Sequence, residues 1–155
     1  MTQRLPAPVR ARLADTRRHA SALQAALGAA TVEEFVTAAR SGQADSLIRV
    51  VYPLERAFEI LENYVIELAK LGLSLANVVP EQSGAKALGQ LESEGVIGSG
   101  RRGKLVGIHD TRNRMQHDYP DVRAKAVYEA AGALLDELGP FFRDYANWLR
   151  RLGYG

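Results

Sequence analysis

Two of the three histidines in this 155-residue chain, His109 and His117, fall in one short stretch with Arg112, Asn113, Arg114 and Tyr119. A histidine titrating near neutrality can give or take a proton, and an arginine fork can bind two phosphate oxygens at once. Together they suit proton transfer beside a bound phosphate or a similar anion. On a straight helix at 100° per residue, His109, Asn113 and His117 share a face, whereas Arg112 is turned from His117 by about 140° and aligns with Tyr119. Arg112 and His117 of one helix therefore cannot stand side by side. His109 and His117 are too far apart, with no clear third ligand beyond Asp110 or Asp118, to make a metal centre, and no metal or cofactor is expected.

Charge distribution supports an anion site in the same region. The net charge is only +2, but between Gly100 and Lys125 seven Lys and Arg face three Asp, leaving the rest of the chain at −2. Such concentration is what a polyanion would need, a solvated face being the plain alternative. Cysteine is absent, which excludes disulfides, thiolate metal sites and a cysteine nucleophile and suits a reducing cytoplasm. The basic, proline-broken start MTQRLPAPVR resembles neither a signal peptide nor a membrane span. A cytoplasmic protein with no membrane association is expected.

The elements that must hold this stretch read as helices, since Ala and Leu are abundant and no alternating strand pattern occurs. Val9, Leu13, Thr16, Ala20, Leu23 and Leu27 mark an N-terminal helix over about 7–30. Thr31 and Glu34 form a capping box for a short helix that Gly42 ends. Asp45 or Ser46 caps a long central helix to Gly72, with Leu54, Phe58, Leu61, Val65 and Leu68 on one side and a bend at Pro53. A short helix follows over 83–94, then a mobile connector from Gly95 to Gly103, then a helix from Lys104 to about Asp118. Pro120 stops that helix at or before Tyr119. Asp121 caps a last long helix carrying Val127, Ala131, Leu134, Leu138, Phe141, Tyr145 and Trp148, which Gly139-Pro140 either kinks or restarts. The length fits one domain over 1–155, with its core over about 35–150. The expected fold is all-α, an up-and-down bundle of four main helices with short additions.

Arg112 with Asn113 next to it, His117 after four intervening residues, and Tyr119 after one more spell Arg, four residues, His, one residue, Tyr. This pattern, in a late helix followed by one long helix, resembles the HepT-like branch of the HEPN superfamily. The resemblance implies a metal-independent endoribonuclease toxin, working on RNA as a homodimer and paired with a small MntA-like nucleotidyltransferase antitoxin. It implies that His117 is the general acid or base, that Arg112 is the charge clamp and that Asn113 orients the phosphate or His117. Tyr119 would be the residue on which the antitoxin places AMP, silencing the toxin. A twofold pair of helices would let an Arg and a His that diverge on one chain converge across two. Arg101, Arg102 and Lys104 would then steer phosphates on a flexible approach, with Arg114 adding to the basic surface. Gln116 and Arg114 depart from the usual motif neighbours and read as variation at solvent-facing positions.

Each of these residues has a plainer role as well. His117 suits a helix C-terminus through the dipole, Arg112 can pair with Asp110 or with a Glu of another helix, and Tyr119 can simply pack. Glu59, Glu62 and Glu67 read as solvated or salt-bridging charges. Phe58, Phe141, Phe142, Tyr145 and Trp148 read as core or dimer interface. Two functional alternatives accompany the toxin: a HEPN module without cleavage activity that serves as partner or substrate-binding subunit of a nucleotidyltransferase, and a structural bundle with no nucleic-acid role.

Overall fold

The computed structural model describes residues 1–115 and 122–155, apart from the side chain of Val122. The chain is all-α. Helix α1 spans Ala7–Gly28 and α2 spans Val32–Ser41. A short turn α3, Ala44–Ser46, passes into a π-helical stretch Leu47–Val51 and then into α4, Tyr52–Leu75. Helices α5, Gly84–Ser93, α6, Ser99–Met115, and α7, Val122–Arg151, complete the bundle.

Local sequence explains most of these limits. At the start of α2 the Thr31 hydroxyl accepts from the Glu34 amide and Glu34 accepts from the Thr31 amide, while Gly42 closes the helix in the left-handed region at φ 61°. Both halves of the expected capping box are present. Thr31→Ala should therefore lower stability by about 1 kcal/mol, measured as an earlier urea midpoint, and an unchanged midpoint would show the cap contributes nothing.

The central helix departs from expectation at its entry. It begins at Ala44 with Gln43 in the capping position, and Asp45 sits in the first turn, paired with Arg49 at 2.8 Å. Proline at position 53 has no N–H and its ring crowds the carbonyl four residues back. The backbone responds by widening into the π stretch, where the Tyr52 amide donates to the Leu47 carbonyl, and the α register resumes beyond it. Helix α4 continues past the expected end at Gly72 to Leu75. Asn77, at φ 60°, turns the chain, and Gln90 of α5 fixes the loop by donating to the Val79 carbonyl and accepting from the Glu81 amide.

The segment expected as a mobile connector is partly helical, because α6 starts at Ser99, five residues before Lys104. Gly100 and Gly103 weaken this start by about 1 kcal/mol each relative to alanine. Ion pairs to neighbouring helices hold it. Arg101 reaches Glu137 at 3.0 Å and Asp144 at 2.5 Å on α7, and Arg102 reaches Glu92 at 2.5 Å on α5. In α7 the helix runs unbroken through Pro140. The carbonyl that loses its donor there belongs to Asp136 on the exposed face, where water can replace it, while Leu138, Phe141, Tyr145 and Trp148 anchor the buried side. The capping role expected of Asp121 lies outside the described residues.

Helix α1 lies along α4 and also meets α7. It buries Val9, Thr16 and Leu23, one residue per heptad, and the Thr16 hydroxyl avoids an unpaired state by donating to the Arg12 carbonyl at 2.6 Å. Its C-terminal end is tied to α7 by the Tyr128 hydroxyl, which lies 2.7 Å from the Ala30 carbonyl and 3.2 Å from that of Leu27. At the other end of α7 the Gln3 amide donates to the Gly153 carbonyl at 2.7 Å and the Gly155 amide donates to the Gln3 carbonyl at 3.0 Å.

The core centres on α4 and α7, where Leu54, Phe58, Leu61, Leu68, Leu134, Phe141 and Tyr145 are each 1% exposed or less. Within it the Tyr145 hydroxyl donates to the Leu68 carbonyl at 2.6 Å, and burial raises its pKa above the ordinary 10.0. The unfolded chain therefore loses this proton first as pH rises. The contribution of Tyr145 to stability is complete below about pH 10 and declines above it. Tyr145→Phe should cost about 1 kcal/mol at neutral pH and flatten the fall in urea-unfolding free energy at alkaline pH. Equal alkaline slopes in the two proteins would refute the assignment.

Candidate functional site at the α4, α5 and α6 junction

Glu62 interrupts an otherwise apolar face of α4. Phe58, Leu61, Val65, Ile66 and Ala69 surround it at helical spacing, and it is 3% exposed. A lone carboxylate so placed would be costly, so it must be paired. Its Oε1 lies 2.6 Å from Nδ1 of His109 on α6, a residue itself 9% exposed. Because an ionised carboxylate only accepts, Nδ1 must carry the proton in this contact. The other face of the imidazole meets the first turn of α5. A Cβ on Gly84 would lie 2.6 Å from both Cε1 and Nε2 of His109, so only glycine allows the ring this approach.

One turn along α6, Arg112 joins the same cluster. Its Nε faces Glu62 Oε2 at 3.7 Å, one Nη donates to Asn63 Oδ1, and the other donates to Asn113 Oδ1 at 3.0 Å. The Arg112 side chain is only 16% exposed. Asn63 follows Glu62 on α4, so two consecutive residues of α4 and Asn113 of α6 fix a single guanidinium. An arginine has five N–H donors. Two of them, one on each Nη, are not committed to these three partners. The arrangement can thus hold a planar cation in a set orientation and still present it to an anion.

The sequence-derived site residues divide between places. Arg112 and Asn113 are together, as their adjacency requires, with Arg112 drawn toward α4. His117 and Tyr119 lie outside the described residues. Arg114 is exposed, and it lines a cavity of about 220 Å³ with Thr111, Met115, Arg123, Ala126 and Val127 between α6 and α7. The flexible approach expected of Arg101, Arg102 and Lys104 is not found. All three are in helix α6, and Lys104 adds a third cationic contact to the carboxylates of α7, 3.4 Å from Glu137. Their charge balances Glu137, Asp144 and Glu92 within the fold.

Of the three glutamates read as solvated or salt-bridging, Glu62 is the salt-bridging kind, and it is also buried. Its neighbours Glu59 and Glu67 are partly exposed charges, but Glu62 is a buried carboxylate serving two partners. A glutamate flanked by apolar residues at minus four, minus one, plus three and plus four was the available signal. Asn63 gave none.

The family model described as Ribonuclease HepT-like matches residues 28–144. The chain belongs to this family. Among curated proteins and among solved structures, none matches the chain closely enough to count as a relative. The HepT-like match covers α2 to most of α7, including the whole Arg112 to Tyr119 stretch and the Glu62, Asn63 and His109 cluster. Nearly all of α1 precedes it. The match supports reading the chain as a HEPN-type ribonuclease. No helix among the described residues is long and apolar enough to cross a membrane.

Proposed function

We propose that this HepT-like chain is a metal-independent endoribonuclease, the toxin of a pair whose antitoxin is a nucleotidyltransferase. The carrying observation is that the family match encloses Arg112, Asn113, His117 and Tyr119 at the spacing of the family motif. In RNA the 2′-oxygen can attack its own phosphorus as the bond to the 5′-oxygen breaks, giving a 2′,3′-cyclic phosphate and a 5′-hydroxyl. The protein has only to move protons and stabilise charge on the phosphorane. His117 moves a proton at the 2′- or 5′-oxygen, Arg112 holds the non-bridging oxygens, and Asn113 orients the phosphate or His117. Two copies facing each other bring an Arg and a His together in one cleft, consistent with the angular offset between them. Tyr119 receives AMP from the antitoxin, and the added phosphate repels RNA.

Incubating the purified protein with single-stranded RNA in excess EDTA tests the reaction, and incubation with the nucleotidyltransferase and ATP tests the modification. Cyclic-phosphate ends without metal, together with AMP on wild type but not on Tyr119→Phe, are expected. Cleavage that requires added metal would sink the mechanism. A second reading, a non-cleaving binding partner of the nucleotidyltransferase, draws on the tight engagement of Arg112 by Glu62 and Asn63. It predicts a stable complex with that enzyme and no RNA ends under any condition.

A further inference from the structure

We infer that Glu62 and Asn63, with His109 behind them, form a positioning device for Arg112, setting the guanidinium in the orientation that meets an RNA phosphate. The inference rests on the reading of Arg112 as the phosphate clamp.

Three observations converge on it. First, the carboxylate of Glu62 is held before Arg112 is considered. Its Oε1 is fixed by His109 at 2.6 Å, and His109 is in turn wedged against the Gly84 backbone with no room for a Cβ. A carboxylate pinned at one oxygen has little rotational freedom left at the other. Second, that other oxygen and the Nε of Arg112 are both buried without a hydrogen-bond partner among the described residues, and they face each other at 3.7 Å. An orphaned buried acceptor beside an orphaned buried donor is unfavourable at rest. A shift of under about 1 Å would bring the pair to hydrogen-bond distance and satisfy both. Third, Asn63 and Asn113 grip the two Nη atoms from opposite helices, so rotation of the guanidinium about its own axis is opposed at two points.

A long arginine side chain ordinarily loses considerable rotamer freedom when it binds a ligand. Here that freedom is removed in the folded protein, before any ligand arrives. The two N–H groups left uncommitted among the described residues then point as a fixed pair. Phosphate binding that closes the 3.7 Å gap would pair both orphaned atoms, so the interaction with Glu62 strengthens when the anion is engaged. A residue that only stabilised the bundle would have no such dependence on Arg112.

The test is a double-mutant cycle between Glu62→Gln and Arg112→Ala in EDTA, each protein first shown to be folded by circular dichroism. Two readouts are taken: affinity for a 2′-O-methyl RNA oligonucleotide that cannot be cleaved, and kcat and KM on the unmodified strand. Glu62→Gln is expected to weaken oligonucleotide binding at least about threefold and to lower kcat about tenfold, with KM following the binding change. In the Arg112→Ala background the same substitution should change affinity by less than about twofold, because its effect passes through the missing guanidinium. Equal losses in both backgrounds, or a Glu62→Gln protein with wild-type affinity and kcat, would overturn the inference. Should Glu62→Gln fail to fold, the half-buried Asn63→Ala replaces it in the cycle with the same expected pattern, and an Asn63→Ala protein indistinguishable from wild type overturns the inference equally. A wild type that binds the oligonucleotide without cleaving RNA would refute the ribonuclease reading alone, since the affinity cycle still decides the role of Glu62. A wild type that neither binds nor cleaves would refute both.

Discussion

In excess EDTA, His117→Ala should cleave single-stranded RNA at least about 10²-fold more slowly than wild type, and as much as about 10⁴-fold if one His both accepts and returns the proton. Arg112→Ala should fall by a comparable factor, since one charge-stabilising donor aimed at a developing anion accounts for about 10² to 10³ in rate. The two substitutions differ in what else they disturb. Arg112 is the permanent countercharge of buried Glu62, so its removal leaves a carboxylate in the core with His109 as its one remaining ion-pair partner among the described residues. That loss costs stability as well as rate. Arg112→Lys separates the two effects. It keeps a positive charge near Glu62 but cannot reproduce the planar grip of Asn63 and Asn113, so it should retain most of the stability and lose most of the activity. Initial rates on a fluorescent RNA, beside melting curves for the same samples, provide the check. Near-wild-type cleavage by His117→Ala would remove His117 from the mechanism.

Gly72→Ala should be a strongly destabilising single methyl. Alanine is the better helix former by about 1 kcal/mol, so on an open surface the change would stabilise α4. At position 72, however, the new Cβ would lie 2.5 Å from Cζ3 of Trp148 and 2.9 Å from Cε2 of Tyr145. Neither ring can withdraw. Tyr145 is 1% exposed and stacked on Phe141 at 5.7 Å between centroids, and Trp148 is 4% exposed with its ring 5.9 Å from that of Tyr145. Overpacking of fixed rings outweighs the propensity gain, for a net loss of about 2 kcal/mol and a drop of about 4 to 8 °C in melting temperature. Cleavage per folded molecule should not change, because the methyl lies against the α7 aromatics. A melting temperature equal to or above wild type would show that the core has slack at this point.

Where the sequence carries strong periodicity or explicit capping chemistry, structure follows it closely. Thr31, Glu34 and Gly42 bound α2 as their types require, and the heptad positions of α1 and α4 are the buried ones. Weaker local signals are overridden by distant partners. The first turns of α6 are rich in glycine and read as a connector, yet carboxylates on α5 and α7 hold Arg101 and Arg102 in helix. Those acids lie too far along the chain to be matched to the arginines by spacing. The site shows the same division. Arg112 and Asn113 stand out by type and spacing, but the partner of Glu62 is 47 residues away, and only the crossing of α4 and α6 reveals it. A glutamate within an apolar stripe signals a buried charge; it does not say which cation answers it. Pro53 likewise announces a missing donor, while the choice of a widened π stretch over a sharp kink depends on the packing of α4 against its neighbours.

The pairing of Gln3 with Gly153 and Gly155 brings both ends of the chain to one place, at the C-terminal end of α7. The Arg114 carbonyl, by contrast, accepts from Arg123 at the opposite end of that helix, whose 30 residues measure about 45 Å. A fluorophore or affinity handle on either end would therefore report on the molecule from far beyond reach of Arg112, which makes tagged protein fit for every RNA assay above. The same closeness means that a short peptide could join residues 1 and 155 into a ring. New ends could then be opened elsewhere without moving the cluster that holds Arg112.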